Sequence, residues 1–370
     1  MSRIATMMSL GVMATVGIAE PGVTQNPSST QIDAIFAEFD VPGSVGCAVG
    51  VARGGEFLFK NGYGYANLDW DNAITPSTVF YMGSVSKQFT AAAIALLAHE
   101  EKLDLDDDVR EYLPEMPSRN PPVTIRQVVH HMSGVADMYR VMGRNGLSTW
   151  DRFSREEALA LLAQQELDFA PGERYSYSNG GYFLLSVIVE RASGKSLREY
   201  TTEKIFQPLG MRDTHFHDDP VHIVKRRAMS YLPRDEGEQG VEGAYYQSYQ
   251  GNFALPGAGG LYSTVEDLLQ WERNFSNNQL GGPGFMELLH TKGVLNSGEE
   301  LDYAFAIRQG EHRGLTTWGH TGSFMGFKTS YDRYPEQDFS VWVLCNMGEI
   351  APADYGRRVA ELFLEGAMSR

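Results

Sequence analysis

The first clear pattern in the chain is a helical repeat near its start. Apolar residues recur at helical spacing over 31–39, and a hydroxyl residue just upstream is suited to cap the helix. Over 45–51 large and small residues alternate, which is typical of a strand with one bulky face. A turn signal at 53–55 separates it from a second strand that begins at Phe57. The pattern predicts a helix followed by a β-hairpin.

The middle of the chain is mostly helical, and its end returns to strands. Helical spacing predicts helices at 85–101, 124–131, 155–165, 180–192 and 265–275. Strand patterns follow at 315–320, 327–333 and 339–345, before an amphipathic helix at about 354–365. Each strand group is short alone, so pairing both in one antiparallel sheet buries them best.

This layout predicts an α+β fold, in which an antiparallel sheet is flanked by N- and C-terminal helices and carries an inserted, mostly helical lobe. We expect a single unit over 31–368. Its α/β lobe comprises about 31–83 and 257–368, and its helical lobe about 84–256. We find no internal repeat and no low-complexity segment.

Charge and composition limit the partners of the chain. Lys and Arg number 31 against 47 Asp and Glu, so the net charge is −16. This balance argues against nucleic acid and anionic lipid, which need clustered cations. Apolar residues make up 42% of the chain, enough for a sizeable core. We expect a small-molecule or peptide substrate, and no pattern indicates the oligomeric state.

The N-terminus resembles an export signal. Arg3 precedes an apolar stretch over 7–19, which ends in the small-x-small triplet 17–19. We therefore expect a signal peptide at 1–19, a linker at 20–30 rich in Pro, Ser and Thr, and a periplasmic or secreted protein. If that segment is no signal, the protein is cytoplasmic. No stretch approaches the roughly 18 apolar residues that span a bilayer.

Cys47 and Cys345 both lie in apolar, strand-like runs. The favoured interpretation is two buried thiols, since cysteine behaves as a small hydrophobe. A disulfide between them stays open, because pairing cannot be read from two positions.

The first chemical motif is Ser84-Val85-Ser86-Lys87. Ser84 directly precedes a predicted helix, and Lys87 lies one turn later on the same face. A serine hydroxyl needs a neighbouring base, and a partly buried lysine loses proton affinity and can serve as one. The N–H groups at the helix start suit a developing oxyanion. Alone, the motif is weak.

The second motif is Tyr177-Ser178-Asn179, which follows a turn and precedes an apolar helix. A tyrosine beside a lysine can exchange a proton with it, and the asparagine amide can hold both the lysine and a substrate amide. Tyr65 and Asn67 have the same spacing. They lie in the first hairpin, where Tyr65 is expected to pack on the sheet, so we favour Tyr177.

The third motif is His320-Thr321-Gly322-Ser323, at the end of a predicted strand. Small residues on an edge strand let a substrate lie alongside as an added strand. The backbone N–H of Ser323 can then point into the site.

In this order, the three motifs resemble the signature of the beta-lactamase-related serine hydrolases. That family includes class C beta-lactamases, D-alanyl-D-alanine carboxypeptidases, D-aminopeptidases and some esterases. The resemblance covers about 30–368, and supporting stretches lie at 81–83, 124–134, 208–214 and 259–264.

The resemblance implies that Ser84 is acylated, that Lys87 and Tyr177 move the proton, and that Asn179 positions the substrate. The oxyanion hole would comprise the N–H groups of Ser84 and Ser323. No metal or organic cofactor is expected. Class C enzymes usually carry lysine where this chain has His320, and histidine there resembles the peptidase branch.

We therefore expect a serine hydrolase that forms an acyl-enzyme on an amide or ester, with a D-amino-acid peptide as the favoured substrate. Beta-lactamase or small-ester carboxylesterase activity is the alternative, and a non-catalytic penicillin-binding or sensor module is the remote one. His215 and His217 are interpreted as solvent-facing loop residues rather than metal ligands, because no partner set has zinc spacing.

Overall fold

The computed structural model describes residues 27–152, 154–234, 246–251 and 254–369. Within these ranges the strands are β1 (Cys47–Arg53), β2 (Glu56–Tyr63), β3 (Tyr65–Asn67), β4 (Asn72–Ala73), β5 (Phe80–Tyr81), β6 (His215–Phe216), β7 (Tyr231–Pro233), β8 (Tyr246–Ser248), β9 (Leu261–Ser263), β10 (Arg308–His312), β11 (Leu315–Phe324), β12 (Phe327–Tyr334) and β13 (Phe339–Cys345). The proposed signal peptide at 1–19 lies outside the described residues.

The α-helices in the same ranges are α1 (Ser29–Asp33), α2 (Lys87–His99), α3 (Ile125–Val129), α4 (Met138–Arg144), α5 (Arg155–Ala163), α6 (Asn179–Ser193), α7 (Leu197–Thr201), α8 (Gln207–Leu209), α9 (Val265–Asn277), α10 (Gly282–His290) and α11 (Pro352–Leu364). Tighter 3-10 turns lie at Ala37–Phe39, Gly83–Ser86, Val109–Glu111 and Pro335–Gln337, and a π-helical turn at Thr202–Phe206. Each helix in the described part is too short or too polar to span a bilayer.

The main sheet joins the two ends of the chain. Its six antiparallel strands run in the order β10-β11-β12-β13-β1-β2. The pairing of β1 with β13, from Cys47 opposite Cys345 to Arg53 opposite Phe339, is the predicted union of the N- and C-terminal strand groups. The α+β fold class is therefore confirmed.

Two hydrophobic clusters cover the two faces of the sheet. On one face Phe36, Val49, Val343 and Val359 pack together, so α11 and the N-terminal segment close that side. The larger cluster lies on the other face and continues into the middle of the chain, where Phe89 of α2 contacts Trp271 of α9 at a ring distance of 4.7 Å. The start of α2 therefore lies between the sheet and the helical part.

Some predicted bounds were wrong for local reasons. The predicted helix at 31–39 is split: α1 is capped by Ser28 and ends at Asp33, and a 3-10 turn covers Ala37–Phe39. The proposed linker at 20–30 therefore overlaps a helix, and its part before residue 27 lies outside the described residues. Strand β10 was missed, because its charged, glycine-containing sequence carries no clear alternation.

Cys47 and Cys345 form a disulfide with an S–S distance of 2.09 Å. The two residues lie directly opposite each other on β1 and β13, and both side chains are fully buried. The expectation of burial was right, but the favoured interpretation as two free thiols was wrong. Strand register brought the sulfur atoms together, and register is not visible in the sequence.

A buried ion pair ties α9 to the sheet. Arg333 Nε donates to Glu272 Oε1 at 2.7 Å, and the Tyr331 hydroxyl donates to the other carboxylate oxygen. Arg333 and Glu272 side chains are only 8% and 3% exposed. Removing one partner would leave the other charge buried and incompletely neutralised, which is costly.

Replacing Arg333 with methionine should therefore lower the free energy of unfolding by about 3–5 kcal/mol, the cost of breaking a buried pair. Lys195→Met is the matched control, since it breaks an exposed pair with Glu203 and should cost at most about 1 kcal/mol. Urea unfolding followed by circular dichroism measures both. Equal losses in the two variants would show that burial of the Arg333 pair confers no special stability.

Candidate active site

Ser84 and Lys87 lie where a 3-10 turn runs into a helix. Gly83–Ser86 forms the turn and Lys87 begins α2, so the hydroxyl and the amine face each other across one turn. Ser84 is half-buried and reachable from solvent, whereas Lys87 is completely buried. The Ser84 hydroxyl is thus open to a ligand, while the neighbouring amine is shielded from water.

The amine of Lys87 has three polar neighbours. Its Nζ lies 3.1 Å from Ser84 Oγ, 2.8 Å from Asn179 Oδ1 and 2.6 Å from the carbonyl oxygen of Ala258. The amide and carbonyl oxygens can only accept hydrogen bonds. A neutral amine has two hydrogens, which those two oxygens engage. Its lone pair is then left for the Ser84 hydroxyl.

Burial lowers the pKa of Lys87 well below its usual value of 10.5. The nearby charge of Arg308 lowers this pKa further, whereas Asp137 raises it. Because desolvation disfavours the ammonium form, the neutral amine becomes accessible at a much lower pH than for a surface lysine. Burial therefore favours the neutral amine, a form that the three polar neighbours can also accommodate.

Tyr177 lies over the same amine. The Lys87 Nζ is 4.8 Å from the centre of the Tyr177 ring, and His131 packs on that ring at a distance of 4.3 Å. The Tyr177 hydroxyl is buried and makes no hydrogen bond of ordinary geometry within the described ranges. Burial raises the pKa of Tyr177, while the adjacent Ser84 hydroxyl lowers it, so the two hydroxyls are neighbours. The phenol is protonated at neutral pH.

Asp137 orients the amide of Asn179. Its Oδ2 accepts from both the backbone N–H and the Nδ2 of Asn179, at 2.9 and 2.8 Å. A carboxylate can only accept, so the amide nitrogen must face Asp137 and the amide oxygen must face Lys87. The other carboxylate oxygen of Asp137 caps α4 by accepting from Tyr139 and Arg140. Asp137 is a positioning residue that the sequence patterns did not reveal.

Replacing Asp137 with asparagine should lower activity and shift the pH profile. The Asn179 amide would lose its fixed orientation, and loss of the negative charge should lower the pKa of Lys87 further, since Asp137 raises it. We expect a loss of about tenfold or more in kcat/KM, the scale of a lost charge-assisted hydrogen bond, with the acidic limb of the pH–rate profile moved to lower pH.

Ser154→Ala is the control, because it removes the side-chain cap of α5 without touching the site. Ser154→Ala should cost about 1 kcal/mol of helix capping, whereas asparagine caps a helix about as well as aspartate, and only Asp137→Asn should move the pH profile. A purely structural role for Asp137 would leave the acidic limb in place.

Strand β11 brings the third motif to the same place. Its first half pairs with β10 from Leu315 to Gly319, whereas β10 does not extend alongside His320 and the residues after it. The Thr321 and Ser323 side chains are exposed, and Gly322 is buried. The second half of β11 therefore presents a backbone edge along which an extended substrate can lie.

His320 is buried and neutral. Its Nδ1 donates to the carbonyl oxygen of Thr321 at 2.6 Å, and its Nε2 then accepts from the Tyr303 hydroxyl at 3.3 Å. Burial lowers the pKa of His320 to about 3. His320 therefore supplies no positive charge for a substrate carboxylate at neutral pH.

The turn before Ser84 and the edge of β11 approach closely because residue 83 is glycine. Gly83 has a φ of +53°, and a Cβ built on it would lie 2.5 Å from the backbone nitrogen of Ser323. The Thr329 hydroxyl donates to the carbonyl of Met82 at 2.8 Å and fixes the turn against the sheet. The backbone nitrogens of Ser84 and Ser323 thus belong to adjoining segments.

Arg308 supplies the positive charge that His320 lacks. It begins β10, is exposed, and lies with its Cζ 5.8 Å from the Tyr177 ring and 5.6 Å from the Tyr303 ring. Its charge lowers the pKa values of Lys87 and His131. Sequence reasoning missed Arg308 because β10 itself was missed; the signal available was a cation just after the apolar run 303–307.

Other sequence candidates lie elsewhere. Tyr65 belongs to β3, and its carbonyl accepts from Asn346 at 3.0 Å, so it does not contribute to the cluster around Lys87. The interpretation of His215 and His217 as solvent-facing loop residues was wrong. His215 forms β6 and is half-buried, and His217 is only 6% exposed, because β6 pairs with β9 inside the fold.

The chain belongs to the beta-lactamase family, whose model matches residues 32–364. Among characterised relatives, it is 28% identical over 319 residues to a D-aminopeptidase of Gluconobacter oxydans, covering 85% of this chain and 58% of that protein. It is 28% identical over 316 residues to a penicillin-binding protein of Bacillus subtilis, covering 80% of this chain and 67% of that one.

Among solved structures, it resembles an octameric penicillin-binding protein homologue from Pyrococcus abyssi, with a TM-score of 0.76 and 28% identity over 91% of this chain and 76% of that chain. The chain spans 58% of the length of the D-aminopeptidase it matches, so the relationship concerns the family fold rather than that whole protein.

Proposed function

We propose that this protein is a serine hydrolase that forms an acyl-enzyme on Ser84. The observation that supports this most strongly is the environment of the Lys87 amine. Two oxygens that can only accept engage its hydrogens, and its third neighbour is the Ser84 hydroxyl at 3.1 Å. The neutral amine is thus arranged to accept the serine proton while Ser84 Oγ attacks a carbonyl carbon.

Tyr177 completes the proton transfer. Because burial raises its pKa, the phenol holds its proton at neutral pH and suits a donor better than a base. In the proposed reaction, Lys87 takes the proton of Ser84, and Tyr177 gives its own to the departing amine or alkoxide. Lys87 then returns a proton to Tyr177. In the second half of the reaction the proton transfers run in the opposite direction. Water loses a proton to the Lys87 and Tyr177 pair as it attacks the ester on Ser84, and Ser84 Oγ regains its proton as the ester breaks.

The developing oxyanion would lie between the backbone N–H groups of Ser84 and Ser323. Such fixed donors stabilise the charge that forms in the transition state. Asn179, whose orientation is set by Asp137, and the edge of β11 would hold the substrate backbone. Thr321 and Ser323 are exposed along that edge, as contact with an extended ligand requires.

For the substrate, we propose a D-amino-acid peptide that ends in a free carboxylate. Arg308 is a cation beside Tyr177 and His320, where it can pair with such a group. The preference for D-residues rests on the D-aminopeptidase relatives. A beta-lactam carries a comparable carboxylate and is the second candidate, whereas a small neutral ester would make no use of Arg308.

A rate comparison tests this assignment. The wild type and Arg308→Gln are assayed on a D-alanyl-D-alanine peptide, its C-terminal amide, a D-aminoacyl anilide, nitrocefin and a short nitrophenyl ester. We expect Arg308→Gln to lower kcat/KM for the free-acid peptide about tenfold or more, the scale of a lost charge-assisted contact, and to leave the amide unaffected. Equal losses on the acid and the amide would contradict the role of Arg308.

We also propose that the chain has the two predicted lobes, an α/β lobe over about 31–83 and 257–368 and a helical lobe over about 84–256. We further propose that the protein is exported. The disulfide between Cys47 and Cys345 supports export, because such bonds persist in oxidising compartments. Cleavage at the end of 1–19, measured by N-terminal sequencing of the mature protein, tests this proposal.

A further inference from the structure

A cavity of about 180 Å³ lies next to the end of β11, where Phe324 follows Ser323. Aromatic and apolar side chains form much of its wall, with Tyr81 stacked on Phe324 at a ring distance of 5.0 Å and on Phe327 at 6.0 Å. Met325 also lines it. An apolar cavity of about 150 Å³ can hold a benzene molecule, so this one has room for a short substituent with a terminal group.

The cavity adjoins the reaction site through two segments. Phe324 follows Ser323 directly, so a ligand that continues along the β11 edge reaches the cavity in one residue. Tyr81 precedes Ser84 by three residues, and its hydroxyl accepts from the backbone N–H of Gly260 at 2.8 Å. Tyr81 is thereby held in place between the nucleophile turn and the cavity.

The polar side of the cavity carries a positive charge. Arg227 lines it and is half-buried, and no ion pair to it is seen among the described residues. It lies against Tyr262, whose pKa burial raises and the Arg227 guanidinium partly lowers. No acidic side chain lines the cavity in the described part of the chain. In a protein with a net charge of −16, such a local environment favours an anion.

His217 adds a second polar group to the same wall. Its side chain is 6% exposed, and its Nδ1 is buried without a hydrogen-bond partner in the described ranges. Its ring meets the Tyr262 ring edge-on at 5.3 Å, so both lie beside Arg227. A buried polar atom without a partner is costly unless a ligand or water satisfies it. The wall therefore carries the Arg227 guanidinium and the His217 ring, one nitrogen of which has no partner among the described residues.

We propose that this cavity, termed the Arg227 pocket, binds a carboxylate on the acyl side of the substrate. This inference rests on the proposed function of Ser84 and deepens it. Arg308 lies at the His320 end of the exposed β11 edge and the Arg227 pocket at the Phe324 end. The favoured substrate is thus a peptide with one carboxylate on each side of the scissile bond, the acyl-side one on a short aliphatic arm.

Binding to the Ser84→Ala variant tests this without turnover. N-succinyl- and N-glutaryl-D-alanyl-D-alanine are compared by calorimetry with the methyl esters of their acyl-arm carboxylates. At least one free acid should bind about tenfold more tightly than its ester, the scale of a charge-assisted hydrogen bond. Adding Arg227→Gln should remove this difference. Adding Arg226→Gln should retain it, since Arg226 pairs with Asp213 outside the pocket.

Equal affinity for acids and esters, absence of binding by all four ligands, or a preference that survives Arg227→Gln would overturn the proposal. Acylation of Ser84 is measured separately in the wild type by intact mass after a fluorophosphonate label. A labelled Ser84 with no acid preference would refute the Arg227 pocket alone, whereas an unlabelled Ser84 would refute the proposed function.

Discussion

Ser84→Ala is expected to abolish turnover of every amide and ester substrate. We expect kcat to fall by roughly a factor of a million, the scale of loss when other serine hydrolases lose their nucleophile. The Ser84 side chain is half-buried and its hydroxyl contacts Lys87, so removing one oxygen should disturb the fold little. Steady-state kinetics and thermal unfolding, measured on the same preparation, separate the two effects.

Ser118→Ala is the matched control for this change. Ser118 is exposed and its hydroxyl contacts Arg110 at 3.4 Å, far along the chain from the motifs. It should keep full activity and covalent labelling. Substantial hydrolysis by a folded Ser84→Ala protein would mean that another group is the nucleophile.

Lys87→Met should cause the second largest loss. It removes the base but keeps an unbranched side chain of similar length in a buried position. Loss of general base catalysis should lower the rate of Ser84 acylation by about 10²–10⁴-fold. The variant should still fold, because a buried amine is exchanged for an apolar group. Stopped-flow measurement of the acylation phase reports the affected step directly.

The matched control is Lys204→Met, since Lys204 lies on the surface and pairs with Glu100 at 3.1 Å. It should acylate at the wild-type rate. If Lys87→Met also acylates within a few-fold of wild type, then Lys87 is not the base and Tyr177 must be reconsidered in that role.

If Lys87 is the base, the direction in which the acylation rate of the wild type changes with pH follows. The base is active when Lys87 is neutral, which holds above its pKa. Because burial lowers this pKa well below 10.5, acylation should already be near its plateau at a pH where a surface lysine is still protonated. The rate should fall as the pH decreases through the lowered pKa. Lys87 and Tyr177 are close enough to titrate as a coupled pair, so the profile reports the pair.

The sequence was most informative where reactive residues lie in a local pattern that also predicts secondary structure. Ser84 and Lys87 were placed correctly at a helix start because their spacing and the following apolar repeat are both local. The union of the N- and C-terminal strand groups in one sheet, which β1 and β13 make, was also predicted, since two short strand groups are buried best together. The fold class could therefore be predicted from the need to bury both strand groups, without knowledge of individual contacts.

The sequence was least informative about contacts that depend on register or on loops. Asp137 meets Asn179 across a loop, and Arg308 reaches Tyr177 from a strand with no clear alternation. The disulfide needs Cys47 and Cys345 exactly opposite, and a shift of one residue would separate them. These features come from tertiary geometry, which periodicity does not encode.

The protonation state of Lys87 is the physical basis of the proposed mechanism. It can be measured by ¹⁵N NMR of protein labelled at the lysine Nζ, titrated with pH and assigned with Lys87→Met. We expect one lysine signal, absent in that variant, to titrate well below the others and below 10.5. If the Lys87 signal instead titrates together with the surface lysines, the amine is charged at neutral pH and cannot accept the proton of Ser84.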